Sequence, residues 1–86
     1  MTPIRTPAQL GKILLAARKQ LGLTQPQLAL AAGVGVRFIV ELEAGKPTVR
    51  LSHVLRVIDA LGGALELSGM TPVPLEKHTE EVSDGI

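Results

Sequence analysis

The sequence predicts an all-α fold, a bundle of four to five short helices that contains a helix-turn-helix, followed by one short strand. Three observations lead there. Apolar residues recur at helical spacing in four segments separated by Gly and Pro punctuation. Hydrophobic residues make up 45% of the chain and aromatics 1%, so Leu, Val, Ile and Ala must build the core. The stretch from Leu23 to Lys46, LTQPQLALAAGVGVRFIVELEAGK, puts small and apolar side chains where two helices must cross. With 86 residues the chain is one small domain with a marginal core, which association with a second copy would help to stabilise.

The first helix is expected over residues 7–21, with Thr6 as N-cap and Gln9 completing a capping box. Leu10, Ile13, Leu14, Ala17 and Leu21 form its expected buried face, and Arg18 and Lys19 are expected to stay outside. Gly22 ends it. Thr24 and Gln27 form a second capping box for a helix over residues 25–32, and Pro26 lies in the first turn, where a missing N–H costs nothing. Counting Gln25 as the first position, Ala29 falls fifth, Gly33 ninth, Ile39 fifteenth and Leu42 eighteenth, the spacing of a helix-turn-helix. Ala29 allows close approach, Gly33 can take the positive φ of the turn, and Ile39 and Leu42 point back into the crevice. Leu28 and Ala32 extend the stripe, and Val34 closes the turn. The third helix is expected over residues 36–44 with Gly45 as a left-handed cap, and Lys46-Pro47-Thr48 connects onward. A fourth helix over residues 51–61 is expected to bury Leu51, Val54, Leu55, Ile58 and Leu61 and to stop at Gly62-Gly63.

Ala64, Leu65, Glu66, Leu67 and Ser68 alternate apolar and polar with a period of two, the pattern of a strand. A lone strand cannot satisfy its own backbone, and pairing with the same strand of a second copy is the economical solution. These five residues are therefore the candidate dimer interface; the alternative is a frayed extension of the fourth helix. Residues 1–70 carry eight Lys or Arg against four acids, a net charge of +4, whereas residues 71–86 carry −3. The chain divides into a basic domain, residues 1–70, and an acidic tail, residues 71–86, whose composition cannot order itself by burial.

Composition narrows the function classes. There is no cysteine, hence no disulfide framework, zinc finger or thiol nucleophile. No apolar run reaches membrane-spanning length and no secretory signal precedes the first helix, so a cytoplasmic location is expected. Single-stranded nucleic acid binders stack bases on aromatic side chains, and Phe38 is the single aromatic, expected to pack rather than stack. Any nucleic acid is then duplex. His53, His78, Ser52 and Ser68 stand apart from any metal-ligand or nucleophilic constellation, so no enzyme activity, metal, cofactor or small-molecule substrate is expected.

The third helix of such a motif lies in the major groove and the helix before it crosses the phosphates. Because Ile39 and Leu42 are committed to the core, Gly35, Val36, Arg37, Val40 and Glu41 share the groove-facing side. Arg37 is the strongest candidate reader, since a guanidinium donates two hydrogen bonds to guanine O6 and N7. Glu41 either accepts from cytosine N4 or orients Arg37 four residues earlier, the second role being favoured. Lys46, Thr48 and Arg50 follow the reading helix and are candidates for phosphate clamping.

From Thr6 to Ser68 the chain resembles the XRE-type helix-turn-helix proteins related to lambda-type phage repressors, and its expected fold is lambda-repressor-like. Within that group FIVELEAGKPTVRLSHVLRVIDALGGALEL looks like the HipB antitoxins, on the LEAGKPTVRL stretch, the VLRVIDALG helix and the strand straight after it. The resemblance implies a homodimer closed by an intermolecular strand pair, binding to a double-stranded operator that is an inverted repeat, repression of its own promoter, and a complex with a HipA-like serine/threonine-kinase-fold toxin. It also implies that Gln25 contacts phosphate, where the helix dipole already favours an anion, and that Val36 reads a base. The phage repressors use polar residues on the groove face, whereas this chain offers Gly35, Val36 and Val40, which shifts readout toward DNA shape. Two other classes use the same helices: a stand-alone repressor without a toxin, and a helical interaction module that does not bind DNA.

Overall fold

The computed structural model describes residues 3–70. Four helices follow one another: α1 (Pro7–Gln20), α2 (Gln25–Ala32), α3 (Val36–Glu43) and α4 (Leu51–Ala60). Each starts where the sequence places it, and α1, α3 and α4 stop one residue early because Leu21, Ala44 and Leu61 serve as caps. Both capping boxes form. The Thr6 hydroxyl accepts from Gln9 N–H and the Thr24 hydroxyl from Gln27 N–H, while the Gln27 side chain accepts from Thr24 N–H at 2.8 Å.

Gly33 adopts φ 71°, a left-handed turn that closes with Val34 N–H donating to Ala29 O at 3.0 Å. That turn sets α3 against α2, α4 also packs on α2, and α1 packs on α3. The core is Leu14, Leu28, Ala29, Ala32, Ile39, Leu42, Val54, Val57 and Ile58, all buried. The helix-turn-helix positions thus do what their spacing requires: Ala29 is 2% exposed, Ile39 0% and Leu42 2%. Gly11 marks the tightest approach, since a methyl group placed there would lie 2.5 Å from Leu42 O and 2.8 Å from Glu43 O.

Two expectations about burial are corrected. Arg18 is not outside; it is buried beneath the helices, because Glu43 of α3 neutralises it there. Ile13 and Leu21 of the expected α1 face are 48% and 55% exposed, and Leu51 and Leu55 of the α4 face 63% and 42%. Four short helices cannot wrap both sides of α1 and α4, and Val57, which the expected α4 face omitted, is fully buried.

After α4 the chain turns at Gly62 and the helix does not continue. Residues 64–68 are exposed and join no ladder among the described residues. They border an apolar hollow of about 230 Å³ lined by Ile4, Leu10, Ile13, Ile58, Leu61 and Leu65. The acidic tail, residues 71–86, lies outside the described residues.

Candidate nucleic-acid interface

The two buried residues of α3 leave the opposite side of that helix to solvent. Val36 is 42% exposed, Val40 44%, and the Arg37 side chain 90%. Gly35 is the N-cap of α3 with no side-chain cap, and a methyl group placed on it would touch nothing within 4 Å. The backbone at the start of the helix is therefore open on that side.

Glu41 sits lower on the same side, half-buried, and its Oε2 accepts from Arg37 Nε at 3.3 Å. Lys46 Nζ approaches that same oxygen at 3.4 Å. The chain brings Lys46 close here: after the Ala44 cap Gly45 turns at φ 84°, and Lys46 N–H donates to Glu41 O at 3.0 Å. Of the two roles open to Glu41, orientation of Arg37 matches this geometry. Thr48 and Arg50 lie exposed in the following loop, Arg50 as N-cap of α4.

Beneath this surface one carboxylate joins three helices. Glu43 at the end of α3 accepts from Arg18 Nε at 2.6 Å and from Arg18 Nη2 at 3.0 Å, a bidentate pair, and from Gln25 Nε2 at 3.0 Å. Arg18 Nη1 also donates to Leu23 O at 2.8 Å, so the guanidinium reaches the loop that leads into α2. The side chains of Arg18 and Glu43 are 9% and 4% exposed. Burial alone pushes the Glu43 carboxyl up, yet the hydrogen bonds from Arg18 and Gln25 and the charges of Arg18 and Lys19 outweigh it and hold the group below its ordinary value. The hydrogen bond to Glu43 raises Arg18 in turn, against desolvation.

Gln25 is thus half-buried at the first position of α2, with its amide nitrogen engaged inward. Phe38 is half-buried too, its ring 5.2 Å from His53 in an edge-on packing contact across α3 and α4. Sequence reasoning missed three participants near the motif. Glu43 and Arg18 each lie four residues after a core position, Ile39 and Leu14, and a charge on an apolar stripe was the available signal. Arg56 of α4 donates to Gly33 O at 3.4 Å, at the turn itself, and nothing in its local sequence pointed there. Among the described residues no group of His, Asp or Glu could hold a metal ion, and no helix is long and apolar enough to cross a membrane.

The helix-turn-helix family model matches residues 14–68, most of the described chain. The chain belongs to the XRE-type helix-turn-helix family. Members of this family are DNA-binding transcriptional regulators, and so is this protein; the family is not a class of enzymes. The uncharacterized HTH-type transcriptional regulator y4mF of Sinorhizobium fredii is 48% identical over 64 residues, which cover 74% of this chain and 84% of that one. Among solved structures, HipB in a complex with the O4 20mer superposes with a TM-score of 0.75 at 24% identity, covering 83% of this chain and all of that one. The HipA-HipB-O2-O3 complex contains a chain with the same score, identity and coverage, and HipB of the O1-O2 complex gives 0.72 at 25% identity over 78% of this chain and 97% of that one. The expected lambda-repressor-like bundle is therefore the observed one.

Proposed function

We propose that this family member is a sequence-specific repressor of the HipB type, the antitoxin of a toxin-antitoxin pair, acting in the cytoplasm as a homodimer on an inverted-repeat operator in its own promoter. The observation that carries the reading is the placement of Arg37, whose side chain is 90% exposed on the side of α3 that the core leaves free. In this reading Gly35, Val36, Arg37 and Val40 face the bases, while Gln25, Lys46, Thr48 and Arg50 hold phosphates. Glu41 orients the reader.

Residues 1–70 form the DNA-binding and dimerisation domain, and residues 71–86 form an acidic tail outside it. Dimerisation pairs residues 64–68 of two copies and covers the apolar hollow beside them. The exposure of Ile13, Leu55, Leu65 and Leu67 supports this, because a chain of this size gains much of its stability from covering such a surface. A HipA-like kinase-fold toxin is the second partner, supported by the likeness to HipB in its complex with HipA and operator DNA.

Fluorescence anisotropy of labelled duplex from immediately upstream of the gene, against a scrambled duplex at two salt concentrations, tests the reading. The upstream duplex binds more tightly, with two protomers per site. Arg37→Ala weakens that binding by about 1–3 kcal/mol and leaves the scrambled duplex nearly unaffected. Equal affinity for both duplexes in the wild-type protein refutes the repressor, and an upstream affinity that Arg37→Ala leaves unchanged refutes the reader. Failure of a kinase-fold protein encoded next door to co-purify at micromolar concentration refutes the toxin.

A further inference from the structure

We infer that Glu41 is a specificity-determining residue that suppresses binding to non-cognate DNA. The inference rests on the DNA-binding reading above and deepens it. A single carboxylate oxygen, Glu41 Oε2, draws both the reader Arg37, at 3.3 Å, and the candidate clamp Lys46, at 3.4 Å. The cap of α3 brings the Lys46 backbone beside Glu41, through its N–H to Glu41 O at 3.0 Å, which keeps the ammonium within reach of that carboxylate.

The two ways of binding DNA feel this carboxylate differently. Non-specific binding comes almost wholly from cations on phosphates and is the same for every sequence. Glu41 opposes it twice, by competing with phosphates for Arg37 and Lys46 and by placing a negative charge on the groove-facing side. Base readout is spared. Glu41 engages Arg37 through Nε, which leaves the two terminal nitrogens of the guanidinium free to make a bidentate contact to guanine O6 and N7. A guanidinium already held at Nε loses less freedom on making that contact, which offsets the electrostatic cost at the cognate site alone. The carboxylate therefore lowers affinity for random duplex more than affinity for the operator.

The test is Glu41→Gln, which keeps the shape and removes the charge, measured by anisotropy on the upstream and scrambled duplexes across a salt series. Releasing one cation to the phosphates steepens the salt slope on scrambled duplex by about 0.9 and raises affinity there by about fivefold at about 0.15 M salt. Affinity for the upstream duplex changes less than twofold, so the ratio of the two falls. Adding Lys46→Ala to Glu41→Gln returns the slope on scrambled duplex to its wild-type value. A purely structural i,i+4 pair would change helix content and both affinities together; far-UV circular dichroism of Glu41→Gln separates that case. Scrambled-duplex affinity and slope left unchanged by Glu41→Gln overturn the inference alone, as does an equal rise on both duplexes. Equal wild-type binding to both duplexes overturns the repressor reading instead.

Discussion

Gly11→Ala sets two effects of opposite sign against each other in the middle of α1. Alanine is the better helix former by about 1 kcal/mol, so the isolated helix gains. In the folded chain its methyl would lie 2.5 Å from Leu42 O and 2.8 Å from Glu43 O, whereas ordinary contact begins at 3.4 Å. Helix α1 must retreat from α3 by about 0.9 Å, and neither carbonyl is the flexible end of a side chain that swings aside. A gap of that size forfeits roughly a quarter to a half of the dispersion energy of the facing atoms. It also loosens the Arg18–Glu43 pair that spans the same two helices. Overpacking of this kind costs about 1–3 kcal/mol, and backbone against backbone belongs at the upper end, so the net loss is about 2 kcal/mol. For a domain of this size that lowers the melting temperature by about 8–16 °C. With no Trp or Tyr in the chain the readout is far-UV circular dichroism, at matched protein concentration because association would shift the midpoint. Lys12→Ala, an exposed position one residue along the same helix, serves as the control and stays within about 0.5 kcal/mol of wild type. A Gly11→Ala protein that melts at or above the wild-type temperature refutes the account of close packing between α1 and α3.

Further predictions concern the buried pair and the C-terminal segment. The Glu43 carboxyl is held below its ordinary value in the folded chain, so its contribution is complete above the ordinary Glu value of about 4.3 and is lost as pH falls through the folded one. Glu43→Gln leaves the Arg18 guanidinium buried without its counter-charge and costs about 3–5 kcal/mol at neutral pH. The gap between wild type and variant in urea melts then narrows as pH falls from 6 toward 3; a gap independent of pH sinks the assignment of the acid limb to Glu43. Under the proposed pairing of residues 64–68 between two copies, Leu65→Pro removes a hydrogen bond of that pairing, leaves the helical spectrum intact, and reduces the mass by sedimentation from two chains to one of 9.1 kDa. An unchanged mass means that residues 64–68 are not the interface.

Much of this was legible in the sequence because it is local. A capping box needs four consecutive residues, and the helix-turn-helix spacing rests on five positions within eighteen, so Thr6, Thr24, Gly33, Ile39 and Leu42 all fall into place. The place of Arg18 was not legible, because its burial depends on a carboxylate twenty-five positions away that only the folded chain brings within 2.6 Å. Helical periodicity failed at Ile13, Leu21, Leu51 and Leu55 for a different reason. It identifies an apolar face but not what covers that face, and a face turned toward another molecule has the same pattern as one turned toward the core. The exposed side of α3 followed by elimination from Ile39 and Leu42, whereas the meeting of Arg37 and Lys46 at Glu41 involves a residue beyond the left-handed turn at Gly45.

The Arg18–Glu43–Gln25 network bears on why such a small domain buries an ion pair at all. Taking two charges out of water is costly, and a well-packed apolar pair in the same place is often at least as stable, so net stability is a weak reason for its presence. Geometry is a better one. Glu43 closes α3, Gln25 opens α2 and Arg18 belongs to α1, and the carboxylate holds all three by directional hydrogen bonds where apolar contacts would let the helices slide. In a helix-turn-helix the start of the second helix of the bundle meets phosphates while the next helix meets bases, and the distance between those two points must match the duplex. An apolar replacement of Arg18 and Glu43 would then keep or raise the melting temperature while loosening the angle between α2 and α3. Its cost would appear in affinity for the upstream duplex and not in stability, the reverse of what a merely stabilising ion pair would give.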